Sequence, residues 1–388
     1  MTNNILICDG EQRSTLAVTR SLGSKGHSIY IGSETPHSLA GSSKFCKEQL
    51  QYPSPISEPL AFIDKLKAIC KQFSIDILIP TTDITAYLLS KYKHEISNTK
   101  IPIMDFSTLE MVSDKYRLFQ FANEIGVPIP KTIFIDNLPE LAIKKDSLQY
   151  PLIVKPFRSQ IYTDTGFIHT QVERATSEAS LMALIEQQKY LQEYPFMLQE
   201  LIEGDGQGMF LLTEQGNVVA EFCHKRIREK PPRGGVSVLS ESAEPPIQLK
   251  KFSYDLLQKT RWSGVAMVEY KVSKDGTPYL MEINTRFWGS LQLAIDAGVD
   301  FPLLLIQNNH SHNPHSYDKQ IRLRWLLGDL DRLYLVWKDK QFPLSKKITE
   351  SFIFFNPFHK RTRHEVNRLR DFKPFLFELK KYISDLRK

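Results

Sequence analysis

The stretch Met281-Glu-Ile-Asn-Thr-Arg286, running on into Phe287-Trp-Gly289, decides how this chain is read. As a β-strand it alternates, so Glu282, Asn284 and Arg286 share one face while Met281, Ile283 and Thr285 take the other. One face carries a carboxylate, an amide and a guanidinium; most of the other is apolar and suits a core. Just upstream, Val265-Ala-Met-Val-Glu-Tyr-Lys-Val272 is a second strand-like run that contains Glu269. The connecting Ser273-Lys-Asp-Gly-Thr-Pro278 holds Asp275-Gly276, a strong hairpin-turn signal. With Asp275 and Gly276 as the central turn residues, Glu269 stands directly opposite Glu282. Two carboxylates so paired, with Cβ atoms about 5 Å apart, repel. Asn284 adds a neutral oxygen, and this hard, all-oxygen set suits Mg²⁺ shared with substrate phosphates. A solvent-facing hairpin balanced by Lys271 and Arg286 accounts for the same pattern, so the rest of the chain has to decide.

Upstream, several cationic and flexible pieces ask for an anion. Lys155 follows three apolar residues in Pro151-Leu-Ile-Val-Lys-Pro156, a buried-type strand in which a lysine needs a phosphate or a carboxylate partner. Lys115 falls in the first turn of a helix expected over 113–125, capped by Ser113 or Asp114 and stopped by Gly126, where the macrodipole favours acids. Residues 157–166 read as a loop. Phe196-Met-Leu-Gln-Glu-Leu-Ile202 is a strand leading into Glu203-Gly-Asp-Gly-Gln-Gly208, whose alternating glycines let a backbone approach a ligand or simply turn. The segment 224–237 reads as the most polar loop of the body. It gathers Lys225, Arg226, Arg228, Lys230 and Arg233 around Pro231-Pro232 and Gly234-Gly235, as a loop closing over an anionic substrate would require.

The N-terminal part opens as a βαβ unit: an apolar strand Ile5-Leu-Ile-Cys8, a helix over 15–22 and a strand over 28–31. No G-x-G-x-x-G fingerprint follows the first strand, which excludes a dinucleotide site there. A later strand over 75–79 ends in Pro80-Thr-Thr-Asp83, polar groups at a carboxyl end where open sheets bind ligands. Thr82 or Asp83 equally well caps the helix that follows. Four scattered cysteines point to reduced thiols and a cytoplasmic setting, and the N-terminus has no signal-peptide pattern. No apolar run approaches the ~20 residues of a membrane span.

With these pieces in order, the chain resembles the ATP-grasp superfamily of carboxylate–amine or carboxylate–thiol ligases. The series is Asp114-Lys115, Val154-Lys155-Pro156, Gln199-Glu-Leu-Ile-Glu-Gly204, Val268-Glu269 and Met281-Glu-Ile-Asn-Thr-Arg286. The resemblance implies an α/β fold with an open parallel-sheet domain over 1–110. A two-lobed ATP-grasp domain would follow over 111–310, divided into 111–195 and 196–310, with a basic helical extension over 311–388. It implies that Lys115 and Lys155 hold the ATP phosphates, that Glu200, Leu201 and Ile202 contact adenine, and that Glu203 or Gln207 binds ribose. Glu269, Glu282 and Asn284 would hold one or two Mg²⁺, with Mn²⁺ as a substitute, and Arg286, Lys155, Arg226 and Arg228 form the catalytic set. The chain departs from the pattern after Lys155-Pro156, where Phe157-Arg-Ser-Gln-Ile-Tyr-Thr-Asp-Thr165 has no glycine until Gly166; this implies either a stiffer lid or Arg158 and Ser159 in place of lid amides. The implied reaction joins a small carboxylate to an amine through an acyl phosphate, with amino acids or glycan precursors as substrates. A thiol ligase, a carboxylase or a silent nucleotide-binding scaffold are the alternatives, and a homodimer is compatible with each.

The charge is uneven. Residues 319–388 carry 18 Lys and Arg against 8 Asp and Glu, although the whole chain has a net charge of only +6. A helix is expected over 321–337, interrupted near Gly328-Asp329. Another is expected over 374–387 with Phe375, Leu379, Ile383 and Leu386 on one side. Docking on the body, or contact with an anionic membrane or acidic glycan, accounts for this extension; no nucleic-acid motif is present.

Overall fold

A computed structural model describes residues 2–232, 235–307, 316–355 and 361–387. The N-terminal strands β1 (Asn4–Ile7), β2 (Ser28–Ser33), β3 (Cys46–Gln51) and β4 (Ile77–Ile79) form a parallel sheet in the order β3-β2-β1-β4. Helices cover both faces of such a sheet, so Ile5, Leu6 and Ile7 in sequence are all fully buried. At its carboxyl end Asp9, held at φ 62°, accepts from the Thr81 and Thr82 amides and from Thr85 Oγ1. Thr82 then caps helix Asp83–Lys91 by accepting from the Thr85 amide. That capping leaves the Asp83 side chain at the sheet's carboxyl edge free for another partner.

A second sheet, antiparallel, runs β5 (Thr132–Ile135), β10 (Phe196–Glu200), β6 (Leu152–Pro156), β9 (Glu173–Ala175). The expected loop over 157–166 is corrected here: β7 (Gln160–Thr163) and β8 (Gly166–His169) make a two-stranded hairpin. Tyr162 and Phe167 pack with Tyr87 of helix Asp83–Lys91, which gives this short hairpin a hydrophobic anchor that its local sequence does not advertise.

The third sheet is seven-stranded: β15 (Pro278–Asn284), β14 (Gly264–Ser273), β11 (Gly204–Glu214), β12 (Asn217–Lys230), β13 (Val236–Ser242), β16 (Arg322–Arg324), β17 (Thr362–His364). Neighbours are antiparallel except the parallel pair β16–β17. The polar segment expected to be a loop over 224–237 is instead the facing ends of β12 and β13 with their connection, and Arg233 and Gly234 lie outside the described residues. The glycines 204, 206 and 208 sit within β11, where a Cβ on Gly204 would fall 2.1 Å from the Val272 carbonyl oxygen. The two-residue turn expected in the β14–β15 hairpin is also corrected. Val272 pairs with Pro278, four residues (274–277) lie between the strands, and a register shift between Glu269 and Tyr270 takes up the difference.

The C-terminal region adds β16 and then helix Leu326–Lys338, which runs unbroken through Gly328 and Asp329, against the interruption expected there. Gly328 is accommodated because the Trp325 ring lies against it, 2.1 Å from where a Cβ would stand. Helices Leu344–Phe355 and Lys373–Leu386 follow, and residues 356–360 of the aromatic–basic stretch lie outside the described ones. The last helix is docked: Glu378 accepts from Trp325 Nε1, Tyr382 donates to Asp331 and Phe375 and Phe377 pack on the core. One apolar core joins Ile5 and Ile31 of the first sheet and Leu16 of the helix Arg13–Ser24 to Phe210, Trp288, Leu323 and Val366.

Candidate active site

The β14–β15 register places Glu269 directly opposite Glu282. Glu269 is also paired with Gly208 on β11, and Gly208 with His224 on β12, so His224, Gly208, Glu269 and Glu282 form one row across a single face. The two carboxylates do not face each other uncompensated. Arg226 Nη2 lies 2.7 Å from Glu269 Oε1, and Lys115 Nζ lies 3.1 Å from Glu282 Oε2. Arg226 reaches Glu269 across Gly206, where a Cβ would come within 3.4 Å of Arg226 Cδ. That is an ordinary van der Waals distance, so a small side chain fits there beside the guanidinium.

Electrostatics separate the pair. The Lys115 ammonium beside Glu282 holds its carboxyl down to about 2, against the opposing effect of burial. Burial raises Glu269, with Arg226 opposing it. Asn284 donates from Nδ2 to Glu282 Oε1 at 3.2 Å, and its Oδ1 accepts from Arg286 Nη2 at 3.0 Å. The same Arg286 Nη2 meets Asp83 Oδ2 at 3.0 Å, tying the hairpin to the carboxyl edge of the parallel sheet. Asp83 thus serves in addition to the Thr82 cap, as a residue of the site.

Lys155 approaches from β6. Its Nζ donates to the Met281 carbonyl at 2.6 Å and stands 4.9 Å from the centre of the Phe119 ring. Burial, helped by the charge of Lys115, pushes this ammonium down to about 7, while Glu282 and Glu269 pull the other way. Lys115 also donates to Ser159 Oγ at 2.6 Å, and Arg158 lies 3.3 Å from Glu110 and 3.6 Å from Asp114. Asp83, Tyr87, Lys115, Ser159, Phe167 and Glu282 border a cavity of about 60 Å³ beneath the β7–β8 hairpin. Ligand pockets usually enclose roughly 300–1,000 Å³, and the space beneath the hairpin is well below that range.

The hinge and ribose candidates are set apart from this centre. Glu200 is exposed and accepts the Lys131 amide through Oε1 at 2.8 Å, Leu201 and Ile202 join β10 to β11, and Glu203 pairs loosely with Lys274 at 3.6 Å. Gln207 is paired with Tyr270 and Lys225, so strand alternation turns it to the face away from Glu269. Arg228 is a correction to the expected catalytic set. Register shifts on both sides of it break the alternation with Arg226, and its Nη2 goes 2.6 Å to buried Asp329. Tyr87 was not signalled by any motif; its place four residues after Asp83 on one helix was the available hint.

The fit of a divalent cation follows from the donor set. Glu269, Glu282 and Asn284 offer oxygen donors on one face, and two cationic side chains now balance the carboxylates. Among the described residues no group of three or more His, Cys, Asp or Glu is placed to hold a metal ion. The oxygens of Glu269, Glu282 and Asn284 are hard donors of the kind that suits Mg²⁺ when phosphate oxygens complete its shell.

Comparison with known proteins bears on the fold and on what the chain is similar to. The family described as ATP-grasp in the biosynthetic pathway with Ter operon matches residues 192–328. The arginine-specific large chain of carbamoyl phosphate synthase from Geobacillus stearothermophilus is 22% identical over 236 residues. That alignment covers 59% of this chain and 21% of the relative, so the chain spans about a fifth of its length. D-aspartate ligase from Enterococcus faecium is 22% identical over 335 residues, 79% of this chain and 78% of the ligase. The crystal structure of L-amino acid ligase from Bacillus licheniformis superposes with a TM-score of 0.62 at 18% identity, covering 81% of this chain and 75% of that one.

Proposed function

We propose that the chain, which is similar to ATP-grasp ligases, joins a small carboxylate to an amine with ATP, releasing ADP and phosphate. The observation that carries this reading is the network that links Lys115, Lys155 and Arg286 to the facing pair Glu269 and Glu282, with Lys115 and Glu282 bordering the cavity. Phosphoryl transfer asks a protein for positioning and charge neutralisation more than for covalent chemistry. In the proposed reaction a substrate carboxylate oxygen attacks the γ-phosphorus of ATP, and the bond to the leaving ADP breaks. The amine then attacks the acyl carbon, phosphate departs, and the amine proton passes to solvent.

Lys155 and Lys115 offset charge on the ATP phosphates, and Arg286, oriented by Asp83 and Asn284, offsets charge on the transferred phosphoryl group. Arg226 opposes the burial that raises the Glu269 carboxyl. Adenine lies along the Glu200, Leu201 and Ile202 connection, and Glu203 is the ribose candidate. One or two Mg²⁺, or Mn²⁺, held by Glu269, Glu282 and Asn284 would supply charge neutralisation and alignment of phosphate oxygens. The β7–β8 hairpin excludes water from the acyl phosphate. D-aspartate ligase and L-amino acid ligase among the similar proteins support an amino acid as one substrate.

The test is ADP and phosphate release with ATP and Mg²⁺ across a matrix of amino acids, amino sugars and uronic acids, with products read by mass. The expected product weighs the sum of acid and amine less one water, and Glu282→Gln abolishes it. Absence of an amide with every pair would overturn the ligase reading.

A further inference from the structure

On the sheet face opposite the carboxylate pair, the C-terminal helices roof a second cavity of about 290 Å³. Arg228, Arg322, Arg324 and Arg332 line it, with Ile227, Leu239 and Ile353 supplying apolar wall. The pairing of Leu239 with both Arg228 and Arg324 sets these side chains on one face, while Ser240 and Leu323 turn to the other. The carboxylates present do not match the cations. Asp329 Oδ2 is shared by Arg228 at 2.6 Å and Arg324 at 2.7 Å, and Glu350 meets Arg332 at 2.9 Å. Glu241 is likewise shared, by Arg322 and Lys225. Around the cavity itself, Arg228, Arg324 and Arg332 thus meet two carboxylates, Asp329 and Glu350, among the described residues.

The shortage shows in the hydrogen bonds. Arg228 Nε and Nη1, Arg324 Nη2 and Arg332 Nε are buried with no partner among the described residues, and the Arg228 side chain is only 7% exposed. A buried guanidinium short of acceptors is costly, and its planar fork matches phosphate and carboxylate oxygens. The cavity is too large for an inorganic ion alone and close to the lower end of the usual ligand range of roughly 300–1,000 Å³. Its apolar wall suits an organic body behind the anionic group.

We infer that this arginine-lined cavity binds a small organic oxyanion, a phosphate ester or a carboxylate, at a site separate from the ATP-grasp centre. Binding needs no catalytic turnover, so this site stands or falls independently of the ligase reading. Isothermal titration of the full chain at physiological salt, with glycerol phosphate and with succinate, tests it. Saturable binding of either probe at one site per chain is expected, and which of the two binds tells phosphate ester from carboxylate. Arg332→Gln and, separately, Ile353→Trp should each weaken it at least ~10-fold, the second by filling the cavity while leaving every ion pair in place. Lys155→Ala, in the other site, should leave it unchanged. No saturable binding, binding that survives Ile353→Trp, or binding lost in Lys155→Ala would each overturn the assignment.

Discussion

Lys155 carries its charge against its surroundings. Burial holds its ammonium at about 7, well below the ordinary 10.5 of the unfolded chain. A depressed lysine means that the unfolded state binds more protons between these values, so stability rises with pH there. The penalty is complete below about pH 7 and relieved as pH climbs toward 10.5. Lys155→Met should therefore raise the urea midpoint of the ligand-free protein more at pH 6 than at pH 9.5. Equal shifts at the two pH values would show that Lys155 is not strained. The same substitution should weaken ATP binding at least ~10-fold, because phosphate is the partner that favours the charged form. Glu282 has the opposite sign. Its carboxyl, at about 2 beside Lys115, adds stability above the ordinary carboxylate value of 4.5 that is lost as pH falls toward 2. Glu282→Gln keeps the shape but removes the charge, and a loss of kcat of about 100-fold or more is expected, with native circular dichroism. Activity within twofold of the parent would remove Glu282 from the site.

At the scale of elements, the β7–β8 hairpin is the part most open to test. It closes on the site through Lys115 to Ser159 and through the Tyr87, Tyr162 and Phe167 cluster. Tyr87→Ala should loosen it, raising KM for ATP by roughly 3–10-fold and speeding protease cleavage within residues 160–169. Unchanged cleavage would show that the aromatic cluster does not hold the hairpin. This element was not legible in the sequence, because its stability comes from a helix some seventy residues earlier and not from local alternation (Tyr87 to Tyr162 in the sequence). The β14–β15 hairpin was legible for a subtler reason. Its connection is longer than the two-residue turn, yet the bulge near Met281 compensates and Glu269 still meets Glu282. The carboxylate pair survives because a sheet with one buried face fixes register strongly. The same reasoning fails at Arg226 and Arg228, where two register shifts let neighbours two apart in sequence serve different sites.

Across the whole molecule, the C-terminal region is built into the fold. Arg20, only 8% exposed, pairs with Asp371 at 2.8 Å and donates to the Glu365, Val366 and Asp371 carbonyls. Asp371 also accepts from Ser43 and from the Lys44 amide. Breaking a buried pair by removing one partner typically costs about 3–5 kcal/mol. Arg20→Leu should lower urea stability by that order, and removal of residues 365–388 should leave a chain that does not purify as a folded monomer or oligomer. A truncated chain with parent-like stability would make the region an appendage. Composition marked this region as basic, but the pairing of Arg20 with Asp371 spans most of the chain and no local pattern could reveal it. The central claim concerns the bond that ATP activates. The most direct measurement uses the acid identified in the substrate matrix, labelled with ¹⁸O in its carboxylate, and mass analysis of the released phosphate. Transfer of one ¹⁸O from the acid to phosphate, together with ADP and the amide, is the predicted result; unlabelled phosphate, or AMP and pyrophosphate in place of ADP, would contradict it.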